Sequence, residues 1–173
     1  MDDFVELIKI LGPAGLVLYL AFLLVRSFLQ KQLGEIQLQV SQKNQEVVLP
    51  IRLQAYERIC LLLERVSVNN LVTRLNNSEY TAKQLQNVLV SEIREEFNHN
   101  LSQQVYMSDE AWSKVSNAIE SNVSLINEAG ESMTAEDHSL SLAKKIFELD
   151  MAKESDPIQS ALFFVKDEIR SVF

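Results

Sequence analysis

From Ile10 to Val25 the chain reads ILGPAGLVLYLAFLLV, sixteen residues without a charge between Lys9 and Arg26. At 1.5 Å per residue such a helix covers about 24 Å, a little less than the roughly 30 Å hydrocarbon core of a bilayer. Phe28 and Leu29 lengthen the apolar stretch, and Lys9 and Arg26 have stems long enough to snorkel. A buried core helix is rarely as densely apolar as Gly15 to Val25. A cleaved signal peptide needs a basic start and a small-x-small cleavage site, whereas here Asp2, Asp3 and Glu6 precede the run and Arg26-Ser-Phe-Leu follows it. Residues 13–29 therefore read as an uncleaved transmembrane helix. Ahead of it, Phe4, Leu7, Ile8 and Leu11 share one helical face, with Asp2 as a cap. Residues 1–12 read as a short amphipathic segment along the outer interface, with Gly12-Pro13 marking a kink or a fresh start.

Residues 30–49 form a polar neck. Leu29, Leu33, Ile36, Val40 and Val47 repeat at alternating spacings of four and three, with Lys43 in the vacant place. This is the seam of a coiled coil about two and a half heptads long, or one side of a helix leaning on its own domain. Pro50 predicts a break or bend, because it lacks an N–H and biases Leu49 out of the helical region. Ile51 to Leu75 reads as one central helix, apolar on all sides at Ile59-Cys-Leu-Leu-Leu63. Its charges, Glu57 with Arg58 and Glu64 with Arg65, recur seven apart. They form either a solvated stripe or a docking edge for a partner helix.

Four more helices have readable starts. Thr81 and Gln84 make a capping box ahead of Leu85, Val88, Leu89, Ile93 and Phe97. Ser108, with Asp109 and Glu110, opens a helix carrying Trp112, Val115, Ile119, Val123 and Ile126, with Gly130 in the loop that follows. Thr134, with Glu136 and Asp137, is expected to open another, carrying Leu140, Ala143, Phe147 and Met151. Asp156-Pro157 leads to Ile158, Leu162, Val165 and Ile169. No segment alternates with period two. The fold expected is all-α: an N-terminal transmembrane helix continuing into a helical neck, then a bundle of about five helices over residues 50–173.

Composition narrows the function. Among 173 residues there are 4 Gly, 3 Pro and one Cys, too few turn residues for a β-sandwich and too few thiols for a disulfide-stapled secreted domain. The net charge of −8 argues against a nucleic-acid partner. Residues 1–75 hold 8 basic and 7 acidic groups, and residues 76–173 hold 8 and 17, so the excess of negative charge is distal. Lys9 alone precedes the apolar run, while Arg26, Lys31 and Lys43 follow it. The positive-inside rule then puts the N-terminus outside and the helical domain in the cytoplasm, with membrane lipid as one partner.

No catalytic or cofactor site emerges. Glu95 and His99 are four apart on a helix, but a zinc site wants three or four ligands, and His138 falls beside Glu136 and Asp137 in an expected first turn. There is no Cys-x-x-Cys, His-Glu-x-x-His or phosphate-binding glycine loop. Cys60 lies among aliphatics, where a thiol is core filler of low reactivity. Phe163, Phe164 and Trp112 read as core. We therefore expect no metal, no cofactor and no small-molecule substrate.

In the stretch Leu49-Pro-Ile-Arg-Leu-Gln-Ala-Tyr-Glu-Arg-Ile-Cys-Leu-Leu-Leu-Glu-Arg65, together with Phe97-Asn-His-Asn-Leu-Ser-Gln-Gln-Val-Tyr106 and Trp112, the chain resembles a family of uncharacterised single-pass membrane proteins of Bacteroidota. The resemblance implies a bacterial inner-membrane location and carries no activity or site residue with it. The layout is also similar to membrane-anchored stalk subunits of rotary ATPases, in architecture alone. The function expected is a non-catalytic scaffold or accessory subunit, assembling through helical surfaces with a membrane complex or as a homo-oligomer. The alternative is a regulatory module whose acidic distal half captures a basic cytoplasmic protein.

Overall fold

A computed structural model of the chain describes the backbone of residues 2–134 and 136–171, and their side chains apart from those of 2–14, 37, 38, 40–42, 44 and 45. Among the described residues all regular structure is helical. It comprises α1 (Asp2–Val66), α2 (Val68–Leu75), α3 (Ala82–Asn100), a 3-10 helix (Leu101–Tyr106), α4 (Asp109–Glu131), α5 (Ser139–Met151) and α6 (Pro157–Arg170). The one β-type pairing is an isolated antiparallel bridge between Thr81 and His138. The chain divides into two compact units, Met1–Leu49 and Pro50–Phe173.

Helix α1 runs without interruption through both prolines, so neither the fresh start expected at Gly12-Pro13 nor the break expected at Pro50 occurs. Proline inside a helix removes the bond to the carbonyl four residues back. At Pro50 that carbonyl belongs to Glu46, and both residues are exposed, so the freed oxygen is open to solvent. The helix ends instead at Ser67, whose ψ of 142° turns the chain out of the helical region. The expected single helix from Ile51 to Leu75 is thus two. Ser67 Oγ and Asn70 Nδ2 both donate to the Glu64 carbonyl, at 2.8 Å each, satisfying an oxygen the helix end leaves free.

In the second unit, Tyr56, Ile59, Leu62, Leu63 and Val66 of α1 are buried. They join one core with Leu71 of α2, Leu85, Leu89 and Ile93 of α3, Val115, Ile119 and Ile126 of α4, Leu142 and Ile146 of α5, and Leu162 and Val165 of α6. Helix α4 packs against α3, α5 and α6, and is the hub of the unit. Its buried Asn122 donates to the Val66 carbonyl at 2.9 Å, a second satisfied oxygen at the end of α1.

Three helix starts follow the sequence. Thr81 and Gln84 form the reciprocal capping box, Ser108 accepts from Ala111 N, and Asp156 accepts from Ile158 N and Gln159 N ahead of Pro157. The fourth does not. Thr134 N and Oγ1 both donate to Asp137 Oδ2, closing a turn, and α5 begins at Ser139. Gly130, expected in a loop, lies within α4. Leu140 and Met151, expected in the core, are exposed, and Ser139, Leu142 and Ile146 are buried in their place. Phe163 is 72% exposed rather than core, while Phe164 is half-buried beneath Lys114, whose Nζ lies 4.9 Å from the ring centroid. Trp112 does pack, stacked on Phe97 at 5.4 Å between centroids.

Candidate functional site

The first unit offers an exposed apolar surface. Gly15–Ile36 is helical for 22 residues, long and apolar enough to cross a membrane, and none of it is buried. Leu16, Val17, Leu18, Tyr19, Phe22, Leu24 and Val25 are each at least 57% exposed. Twenty-two residues rise about 33 Å, a bilayer core in length. Arg26, Lys31 and Glu35 fall in the second half of that stretch, so its charge-free part ends at Val25. The flanking residues Arg26 and Lys31 are exposed, and the side chain of Lys9 lies outside the described residues. Leu29, Leu33, Ile36 and Val47 of the neck seam are exposed, and Val40 has no described side chain.

In the second unit, the polar side chains brought together from distant parts of the sequence are engaged with one another. Glu168 on α6 accepts from the Tyr56 hydroxyl at 2.5 Å, from Ser108 Oγ at 2.7 Å and from Ser108 N at 3.0 Å. One carboxylate thereby links α1, α6 and the cap of α4. Arg52 adds a donor to the Tyr106 carbonyl at 3.2 Å and lies 5.9 Å from the Tyr56 ring centroid. Burial, reinforced by the bond to Glu168, pushes the Tyr56 hydroxyl up to about 12. Burial also acts to raise Glu168, but the donors Tyr56 and Ser108 and the positive charge of Arg52 together hold it below the usual carboxylate range.

The charged edge of α1 is partly spent inside the unit. Arg65 pairs with Glu96 at 2.6 Å and Glu92 at 3.8 Å, Glu92 also holds Arg74 at 2.6 Å, and Glu64 lies 4.0 Å from Lys166. Glu57 and Arg58 are exposed. Across the α3–α4 contact, Gln86 accepts from Lys83 at 2.9 Å and donates to Asn127 at 3.0 Å, and its amide lies over Gly130, where a Cβ would come within 2.5 Å. The glycine is there for that close approach. Cys60 is half-buried, and burial raises its thiol against the opposing charge of Lys166. His99 and His138 are exposed, and no group of three or more potential metal ligands occurs among the described residues.

The Glu168 node was invisible in the sequence. Its partners stand 112 and 60 residues away, and no local spacing announces them. The exposed apolar helix, by contrast, is local and was legible. No curated protein and no solved structure matches the chain. A family model matches residues 2–172, and its description is a family of unknown function.

Proposed function

The chain belongs to that family, DUF7935, and we propose that it is a single-pass, membrane-anchored, non-catalytic scaffold or accessory subunit. Its helical unit would stand in the cytoplasm of a bacterial inner membrane, a setting that rests on the resemblance to single-pass proteins of Bacteroidota. The observation that carries the reading is the exposed apolar stretch that opens Gly15–Ile36 and is charge-free to Val25. Sheltering one large apolar side chain is worth about 1.5–3 kcal/mol, so the seven exposed positions named above alone favour lipid by roughly 10 kcal/mol or more. The acidic start and the absence of a small-x-small site favour an anchor over a removable leader. Basic residues concentrated after the apolar run favour a cytoplasmic helical unit.

The scaffold assignment draws on the second unit. Its long-range polar contacts clamp helices to one another, as Glu168 does for α1, α4 and α6, which is how a rigid docking module is built. Two measurements on native membranes test the proposal. After alkaline carbonate extraction the chain is expected in the pellet, and after mild solubilisation it is expected above monomer mass on a blue-native gel. Release by carbonate would overturn the anchor, and a strictly monomeric species at native expression would overturn the scaffold.

A further inference from the structure

We propose that the heptad stretch from Leu29 through the neck to Val47 is a parallel coiled-coil seam whose occupant is a second copy of this chain; the parallel orientation rests on the membrane anchor proposed above. On the continuous helix α1, Leu29 and Ile36 take d positions and Leu33, Val40 and Val47 take a positions. Val40 is placed by register alone. The other four are half or more exposed, at 51%, 54%, 62% and 61% for Leu29, Ile36, Leu33 and Val47.

What selects a second copy is the composition beside the seam. Charged residues at e and g ordinarily set partner choice, by attraction to an opposite charge or repulsion of a like one. Here the e positions are Gln30, Gln37 and Asn44, and the g positions are Gln32, Gln39 and Glu46. Two identical helices side by side would set Gln32 against Gln37 and Gln39 against Asn44, amides that serve as donor and acceptor at once. No like charges meet across these flanks. A charged heterologous helix would find only Glu46 there to pair with. The charges Lys31 and Glu35 fall at outer f and c positions.

Lys43 is the exception, at a d position. A single polar residue in a seam fixes register and limits the number of strands at a cost in stability. Two and a half heptads with such an interruption are too short to associate from free solution. Anchoring changes that. Two helices held in one bilayer are already aligned and confined, so the second contact forms at a high effective concentration.

The test is cysteine cross-linking in native membranes with the full chain, in a Cys60→Ser background. Single cysteines go at seam positions, as Ile36→Cys and Val47→Cys, and at outer positions, as Lys31→Cys and Glu35→Cys. Copper-phenanthroline oxidation should give severalfold more covalent dimer at the two seam positions than at the two outer ones. Val47 also reports direction. In an antiparallel pair centred on the neck, two copies of Val47 would lie about 27 Å apart, beyond disulfide reach. Lys43→Leu should raise the dimer yield further.

A flat profile, no dimer at Val47→Cys, or adducts of another protein's mass would overturn the seam. Carbonate extraction of the same membranes separates the two proposals. Retention in the pellet with a flat profile overturns the seam and leaves the anchor. Release overturns the anchor and, because so short a seam needs that anchor to associate, overturns the seam with it.

Discussion

The hydroxyl of Tyr56 and the carboxylate of Glu168 are the pair on which pH acts most directly. Glu168 is held below the usual carboxylate range, so the folded state resists its protonation. The stability it contributes is therefore present above the ordinary carboxylate value, roughly 4.3, and lost as pH falls through the lower folded value. Tyr56 is raised from 10.0 to about 12, so its contribution is present below pH 10.0 and lost as pH rises through about 12. Absorbance titration should show a late-ionising tyrosine that is absent in Tyr56→Phe. Urea melts across pH should show the acid loss shrinking in Glu168→Gln. A Tyr56 signal at the ordinary value would mean that the hydroxyl is neither buried nor bonded as described. Leu62 makes the apolar counterpart. It is 1% exposed in the middle of the core, so Leu62→Asn should cost a few kcal/mol in denaturant unfolding, the penalty of burying an unpaired amide.

At the scale of elements, legibility followed locality. Caps need only a few residues of sequence, and those at Thr81, Ser108 and Asp156 formed as read. Thr81→Ala and Asp156→Ala should each lower stability by about 1 kcal/mol. Because they cap different helices and share no partner, the double variant should lose close to the sum. A loss well short of the sum in chemical unfolding would show that the two helix starts are coupled. The readings that failed depended on something outside the segment. Thr134 has the composition of a helix start, yet its hydroxyl and N–H are spent on Asp137 in a turn. Helix α5 has apolar residues on well-separated faces, Leu140 on one and Leu142 with Ile146 on the other. The choice between them falls to Ser139, whose N–H donates to the Tyr80 carbonyl and whose hydroxyl donates to the Asn77 carbonyl. Proline at position 50 was read as a break or bend on backbone grounds alone. The break does not occur, Pro50 and Glu46 being exposed where the missing bond would lie, and the boundary between the two compact units falls there.

For the whole molecule, the division at Leu49–Pro50 gives the first expectation. Residues 50–173 hold the entire apolar core, so that fragment should be soluble, strongly helical by circular dichroism and cooperative in its melt. A fragment that aggregates or melts without a transition would mean that the first unit contributes to its folding. Topology is the second. The candidate anchor was legible because a bilayer imposes a length and a polarity on a local stretch of chain, whereas the Glu168 node, assembled from three helices, left no such trace. Lys9 is outnumbered by Arg26, Lys31 and Lys43, and the acidic groups at Asp2, Asp3 and Glu6 weigh little against basic ones. On the proposed topology a short tail of this kind would cross the bilayer, leaving everything after Arg26 in the cytoplasm. A fluorescent protein fused at the C-terminus should therefore glow, and alkaline phosphatase at the same place should be silent. Arg26→Gln with Lys31→Gln, plus lysines added beside Asp2, should scramble or invert that pattern. Phosphatase activity at the C-terminus of the unaltered chain would place the helical unit outside the cytoplasm and remove the setting in which the scaffold has been placed.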